Sequence, residues 1–383
     1  MTRGEIALLV PAGSDRLNPI RRELAARDWN VTVREPEEPA LLRALARMRE
    51  APGPAPMRAA FARWHNRARC TAWAFEQRSR SAARALATVG GRTDLVLQVG
   101  GTSSPAGADR RTPYALYIDC TVRLRDGRRF GDVELGSSRR ARRWYPLESR
   151  LYRDARLVFT ASDYVRRSLV DDYGADPDRV VVVGEGGSFT NDERRARHYD
   201  GRTLLHVGRE FEREGGEVLL RAFRHVATEI RGAELWIAGP RRLDRALPRG
   251  ARLLGALSRR ELAEAYARAS IFVLPSWFQP FGLTLLEAMD HGLPCLGSNR
   301  CATPEIVAHG ETGFVLPAGD VDALAGTAIG LLRRPKLMRW MGERGRRRVR
   351  ERFSWPAVVD RIDAQLREHF GPARGGQRNS LSA

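Results

Sequence analysis

The chain has 383 residues, too many for one ordinary core and enough for two α/β domains, since single hydrophobic cores rarely grow past roughly 250 to 300 residues. The formal net charge is +19, almost all of it carried by arginine because Lys336 is the single lysine, and a surplus of that size attracts anions without choosing among phosphates, nucleic acid and acidic membrane. The four cysteines lack zinc-like pairing, no apolar run nears the ~18 residues of a membrane span, and MTRGEIALLVPAGSDR has no signal-peptide pattern, so a cytoplasmic protein with at most peripheral contact at the inner membrane face is expected.

Near-continuous apolar runs separated by helical patterns mark a parallel sheet covered on both faces. In the first half these are EIALLV at 5–10, NVTV at 30–33, DLVLQV at 94–99, ALYI at 115–118, RLVFTAS at 156–162 and RVVVVG at 179–184. Between the second and third, Met57, Phe61, Trp64, Ala68, Thr71 and Phe75 fall on one stripe of a long helix, and the stripe is expected to face the core. Further on, the arginines of 123–153 are interleaved with Trp144, Tyr145 and Tyr152. That stretch reads as a solvated arginine face, with contact to anionic lipid headgroups as the alternative, and Pro146 argues against one continuous helix there.

A polar, Gly-containing linker follows at 187–202, closing a first domain over 1–186. The second domain, 203–352, repeats the pattern with TLLHVG, ELWIAG, ARLLG, SIFVLPS, GLPCLGS and GFVLP as strands. An amphipathic last helix spans 353–370 with Pro356 in its first turn, and 371–383 reads as a disordered tail. Two doubly wound domains place the active site in the cleft, at the carboxyl ends of the strands.

Two constellations lie at such strand ends. In LLHVGREFEREGGEVLLRAF, Arg209 follows the strand and a Gly-Gly pair precedes a helix; a guanidinium fork there suits two phosphate oxygens, and an ordinary surface arginine is the equal alternative. In FQPFGLTLLEAM, a helix starting near Gly282 would aim the amides of Gly282, Leu283 and Thr284 at an anion. Glu287, one turn in, could hold the vicinal diol of a ribose or simply favour the helix dipole.

These stretches, with AGP at 238–240, LLGALSRRELAEAYARASIFVLPS at 253–276 and PEIVAHGETGFVLPAGDVDALA, resemble in order and spacing the donor domain of glycosyltransferase family 4, the retaining glycosyl transferases group 1. The resemblance covers about residues 156–355 and reaches the first 150 only in architecture. It implies the GT-B fold: two doubly wound Rossmann-like domains facing each other across a cleft, with a C-terminal crossing helix.

It also implies a donor site for a nucleoside diphosphate sugar, formed by Gly208, Arg213, Glu214, Gly239, Phe281, Gly282, Leu283, Thr284 and Glu287. Arg209 would bind the diphosphate and Gln279 the sugar, while Asp119, at the end of ALYID, would orient the acceptor or cap its own loop. The leaving phosphate would take the acceptor's proton, with no metal and no cofactor. The acceptor, a glycan, lipid carrier or small molecule, lies on the half that matches least.

Two positions depart from the family pattern. Glu214 stands where lysine is usual, and Gln279 where glutamate usually opens the loop before Phe281-Gly282. The amide can still hold sugar hydroxyls, whereas a carboxylate beside a diphosphate repels it, and a lost phosphate clamp typically lowers a rate by about 10² to 10³. Arg213, next door, is the candidate substitute. A non-catalytic relative that binds a nucleotide, glycan or partner protein is therefore the rival reading; a nucleotide-sugar epimerase also stays open, and nucleic acid is not expected, because no recognition motif accompanies the charge. The loops PAGSDR, with Gly13, and VGGTSS carry no specific signature.

Overall fold

Every one of the apolar runs named above becomes a strand, because runs of Val, Ile and Leu can be buried on both sheet faces only when helices cover each. A computed structural model describes residues 3–11, 18–50, 55–89, 93–105, 112–126, 133, 135, 139–187, 189 and 199–370. In the first half the elements are β1 (Gly4–Leu9), α1 (Asn18–Ala25), β2 (Trp29–Arg34), α2 (Ala40–Glu50), α3 (Ala55–Arg69), α4 (Ala72–Ala87), β3 (Leu95–Val99), β4 (Tyr114–Ile118), α5 (Val122–Arg125), α6 (Arg139–Asp154), β5 (Leu157–Thr160), α7 (Asp163–Asp171) and β6 (Val180–Val182). In the second they are β7 (Thr203–Val207), α8 (Gly216–Glu229), β8 (Glu234–Ala238), β9 (Ala251–Gly255), α9 (Arg259–Arg268), β10 (Ile271–Leu274), α10 (Leu283–Asp290), β11 (Cys295–Ser298), α11 (Thr303–Ile306), β12 (Gly313–Leu316), α12 (Val321–Leu332), α13 (Pro335–Arg352) and α14 (Trp355–Phe370).

The strands form two six-stranded sheets, β2-β1-β3-β4-β5-β6 and β12-β11-β10-β7-β8-β9, with parallel pairing throughout. Strand order reverses between β1 and β3 in the first sheet and between β7 and β10 in the second, so each has a crevice at its carboxyl end there. Each sheet is covered on both faces by apolar clusters.

The last helix returns to the first sheet. Val358, Val359, Ile362 and Leu366 of α14 join Ile6 and Leu8 of β1 and Leu24 of α1 in one cluster. Asp363, fully buried on α14, accepts from Trp29 Nε1 at 2.8 Å and pairs with Arg3 at 3.2 Å, which offsets the cost of burying its charge.

Five expectations change. The long helix over 57–86 is two helices, broken where Thr71 caps α4 by accepting from Ala74 N. Only Phe75 of its stripe reaches deep core, while Met57 and Trp64 are exposed. Pro146 does not interrupt α6, whose buried Trp144, Glu148, Leu151 and Tyr152 hold the helix through it, tertiary packing outweighing propensity. Those same aromatics are therefore core and not a lipid-facing surface: Glu148 accepts from Trp144 Nε1 at 2.7 Å, Tyr152 OH at 2.6 Å, Tyr173 OH at 2.7 Å and Val122 N at 3.1 Å. Helix α13 was not anticipated as a separate element. Gly13 with most of PAGSDR, most of the linker at 187–202 and the tail at 371–383 lie outside the described residues.

Candidate functional site

At the reversal point of the second sheet, the loops after β7 and β10 lie side by side. The first runs from Gly208 to Gly215 and is anchored by buried Phe211; the second runs from Pro275 to Gly282 and is anchored by buried Phe278 and Phe281. Trp277 N donates to Arg213 O at 3.0 Å and ties the two together. Beneath them Gly208 and Gly239 end β7 and β8, with Gly208 N donating to Ala238 O at 3.0 Å.

Arg209, exposed at the end of β7, and Arg213 line one cavity of about 530 Å³ together with Arg242 and Arg245 from the loop after β8. Glu210, Glu212 and Asp244 also line it and pair with Arg213, Arg245 and Arg242 respectively. Arg213 Nε lies 3.4 Å from Glu210 Oε2, and Arg245 pairs with both Glu212 and Glu217. Arginine forks converging on one space suit an anion with several oxygens. Arg242 and Arg245 were not anticipated; their position just after AGP was the available signal.

Glu214 does not face that cavity. Only 5% exposed, it turns under its own loop against Gly208 and accepts from Glu210 N at 3.1 Å and from Arg209 N. Burial pushes its carboxyl up to about 7. The neighbour is His206, fully buried on β7, whose Nδ1 lies 3.0 Å from Val273 O. A carbonyl can only accept, so the proton sits on Nδ1 and bare Nε2 faces Glu214 Oε2 at 4.0 Å. Burial lowers the imidazole to about 4 and keeps it neutral. The repulsion expected of Glu214 is thus weakened by direction and protonation alike, and Arg213, not Glu214, lines the cavity.

The second loop ends in Gly282, which caps α10 in the left-handed region at φ 91°, a conformation glycine adopts without strain. The N-terminus of α10 leaves amides and a positive dipole end there. Two buried atoms beside it, Gln279 Oε1 and Thr284 Oγ1, have no hydrogen-bond partner among the described residues, and in a protein interior such atoms are costly unless something binds them.

The Phe281 ring packs against Phe353 in the core, which leaves only its backbone to face the loop. Leu283 and Glu287 line a separate cavity of about 360 Å³, walled also by Gly186, Phe189 and Trp355. There Tyr266 OH donates to Glu287 Oε2 at 2.9 Å while stacking on His291, which fixes the carboxylate's direction. Asp119 is exposed at the end of β4 and lines neither cavity. Among the described residues, no His, Cys, Asp and Glu side chains form a group of three or more able to hold a metal ion.

Residues 201–334, the greater part of the second half, match the family described as Glycosyl transferases group 1. The chain is 32% identical over 166 residues to N-acetyl-alpha-D-glucosaminyl L-malate synthase of Bacillus anthracis, a match covering 42% of this chain and 44% of that protein. It thus spans about half the length of the curated relatives it matches, 44% to 58% for the first of them. Sucrose-phosphate synthase of Thermosynechococcus elongatus superposes with a TM-score of 0.67 at 19% identity over 96% of this chain and 99% of that one. Anabaena HepE in complex with UDP-glucose gives 0.61 at 15% identity over 95% and 100%. With its two parallel sheets and flanking helices, the fold is GT-B, two Rossmann-like halves.

Proposed function

We propose that the protein is a retaining, metal-independent glycosyltransferase of family 4 that moves a sugar from a nucleoside diphosphate sugar to a glycan, lipid carrier or small-molecule acceptor on the cytoplasmic side of the membrane. The observation that carries this is that the loop after β7, which bears Arg209 and Arg213, is tied through Trp277 N to the loop after β10 that leads into the N-terminus of α10. The arginines would take the diphosphate oxygens and the amides of Gly282, Leu283 and Thr284 would cap them, which stabilises charge as it builds on the leaving phosphate. That phosphate takes the acceptor's proton as the new bond forms on the face the nucleotide leaves. Gln279, through its bare carbonyl oxygen, would hold a sugar hydroxyl, and Glu287, aimed by Tyr266, the ribose diol. Asp119 would sit on the acceptor side.

UDP-sugars are the first donors to try, since a similar structure holds UDP-glucose. Incubation with UDP-, GDP-, ADP- and dTDP-sugars and an acceptor panel, in the presence of chelator, is expected to release one nucleotide and give a product with the donor's anomeric configuration by NMR. Arg209→Ala should lower the rate by about 10² to 10³. The two departures, Glu214 and Gln279, are what favours a non-catalytic binder, and binding without release from any donor would establish that reading.

A further inference from the structure

Of the large apolar side chains that the structure leaves exposed, most cluster on three consecutive helices of the first half. They are Leu41 at 56% and Met48 at 48% on α2, Met57 at 54% and Trp64 at 60% on α3, and Trp73 at 44% in the first turn of α4. Both helix pairs are seven residues apart, two turns, so Leu41 and Met48 share one face of α2 as Met57 and Trp64 share one face of α3. Phe61, between the latter two, meets Trp64 edge-on at 6.0 Å and extends the stripe. A scatter of single apolar residues is ordinary surface; stripes on packed neighbours are not.

The hairpin is also strongly basic. Residues 40–69 contain seven arginines, Arg43, Arg47, Arg49, Arg58, Arg63, Arg67 and Arg69, against Glu50 alone; Arg43, Arg47 and Arg67 are exposed, Arg43 pairing with Glu37 just before α2, while Arg69 is half-buried. Helix α2 packs chiefly on α3. The feet of the pair are fixed: buried Arg78 of α4 donates through Nε at 2.9 Å and Nη2 at 2.7 Å to Glu38, just before α2, and through Nη1 at 2.9 Å to Arg69 O, the end of α3. Because Glu38 follows the carboxyl end of β2, the hairpin is rooted at the end of the sheet that carries the loops after β3 and β4, Asp119 among them.

We infer that the α2–α3 hairpin is a docking surface for an anionic lipid bilayer. A second copy of the same face would bring two sets of arginines together, which repel. A nucleic acid would satisfy the arginines and leave Met57 and Trp64 in water. A bilayer with acidic headgroups supplies both partners, phosphates for the guanidinium groups and an apolar boundary for the tryptophan and methionines. The inference does not rest on the reaction proposed above.

The test is flotation of the full chain with vesicles of phosphatidylcholine alone and of equal parts phosphatidylcholine and phosphatidylglycerol. Retention is expected on the mixed vesicles only. Met57→Ser with Trp64→Ser should weaken partitioning about tenfold or more through lost apolar burial, and Arg43→Gln with Arg47→Gln about thirtyfold, with melting temperature unchanged in both. The inference is overturned if mixed vesicles retain nothing, or if they hold the apolar variant as well as the parent. Light scattering that shows a dimer abolished by Trp64→Ser would overturn it too, assigning the face to a second copy.

Discussion

Glu214 and His206 share a buried space in which neither is charged at mildly acidic pH. A carboxyl raised from 4.5 to about 7 binds its proton more tightly in the folded chain than in the unfolded one. The stability this gives is fully present below pH 4.5 and is lost as pH rises through about 7, a difference of about 3 kcal/mol by linkage. Glu214→Gln, neutral at every pH, should flatten the dependence of the urea midpoint between pH 4.5 and 7 and be the more stable protein above that window. An unchanged slope would mean that the carboxyl titrates normally and faces water. The sequence identified the position and the sign of its charge but not its direction, which depends on the room that Gly208, lacking a side chain, leaves beneath the loop.

At the scale of elements, the ends of β7 and β8 approach too closely for any side chain. A Cβ on Gly239, at φ 115°, would stand 1.9 Å from the carbonyl oxygen of Gly208. Gly239→Ala should therefore cost about 3 kcal/mol or more, from a left-handed backbone and a clash with main chain that cannot move aside. At Gly282 the added Cβ meets only the end of Leu285 at 3.1 Å, so Gly282→Ala should cost about 1 to 2 kcal/mol. Equal denaturation midpoints for the two variants would contradict this account of the strand ends. The strands themselves were legible because burial on both faces demands unbroken apolar runs, a demand visible in sequence. The break at Thr71, the helix through Pro146 and the outward stripe of Met57 and Trp64 were not, because each is decided by what the segment packs against and not by its own periodicity.

Across the whole molecule, the two halves meet at a cap as well as through α14. Glu305, at α11 of the second half, accepts from Asp163 N at 2.7 Å and Tyr164 N at 3.0 Å in the first turn of α7 in the first half. A carboxylate at a helix N-terminus stabilises by roughly 0.3 to 2 kcal/mol. Here that favours approach of the halves, though burial raises the group's pKa and so opposes its charge. Glu305→Ala should leave both halves folded and increase the radius of gyration in solution scattering; an unchanged radius would show that the cap does not hold the halves together. The two-domain plan and the reversal point that positions Arg209 and Gly282 were readable from the order of strands, whereas this contact, between residues 142 apart, was not.

The central claim is that the loops after β7 and β10 bind a nucleoside diphosphate through Arg209 and Arg213. It is tested most directly by melting the purified protein with saturating UDP, GDP, ADP and dTDP, alongside Arg209→Ala and Arg213→Ala. A ligand at a hundred times its dissociation constant adds about 2.7 kcal/mol, several degrees for a protein of this size. The account predicts such a shift for one nucleotide in the parent and its loss in either variant. A folded parent that none of the four nucleotides stabilises, or variants that shift as the parent does, would contradict it.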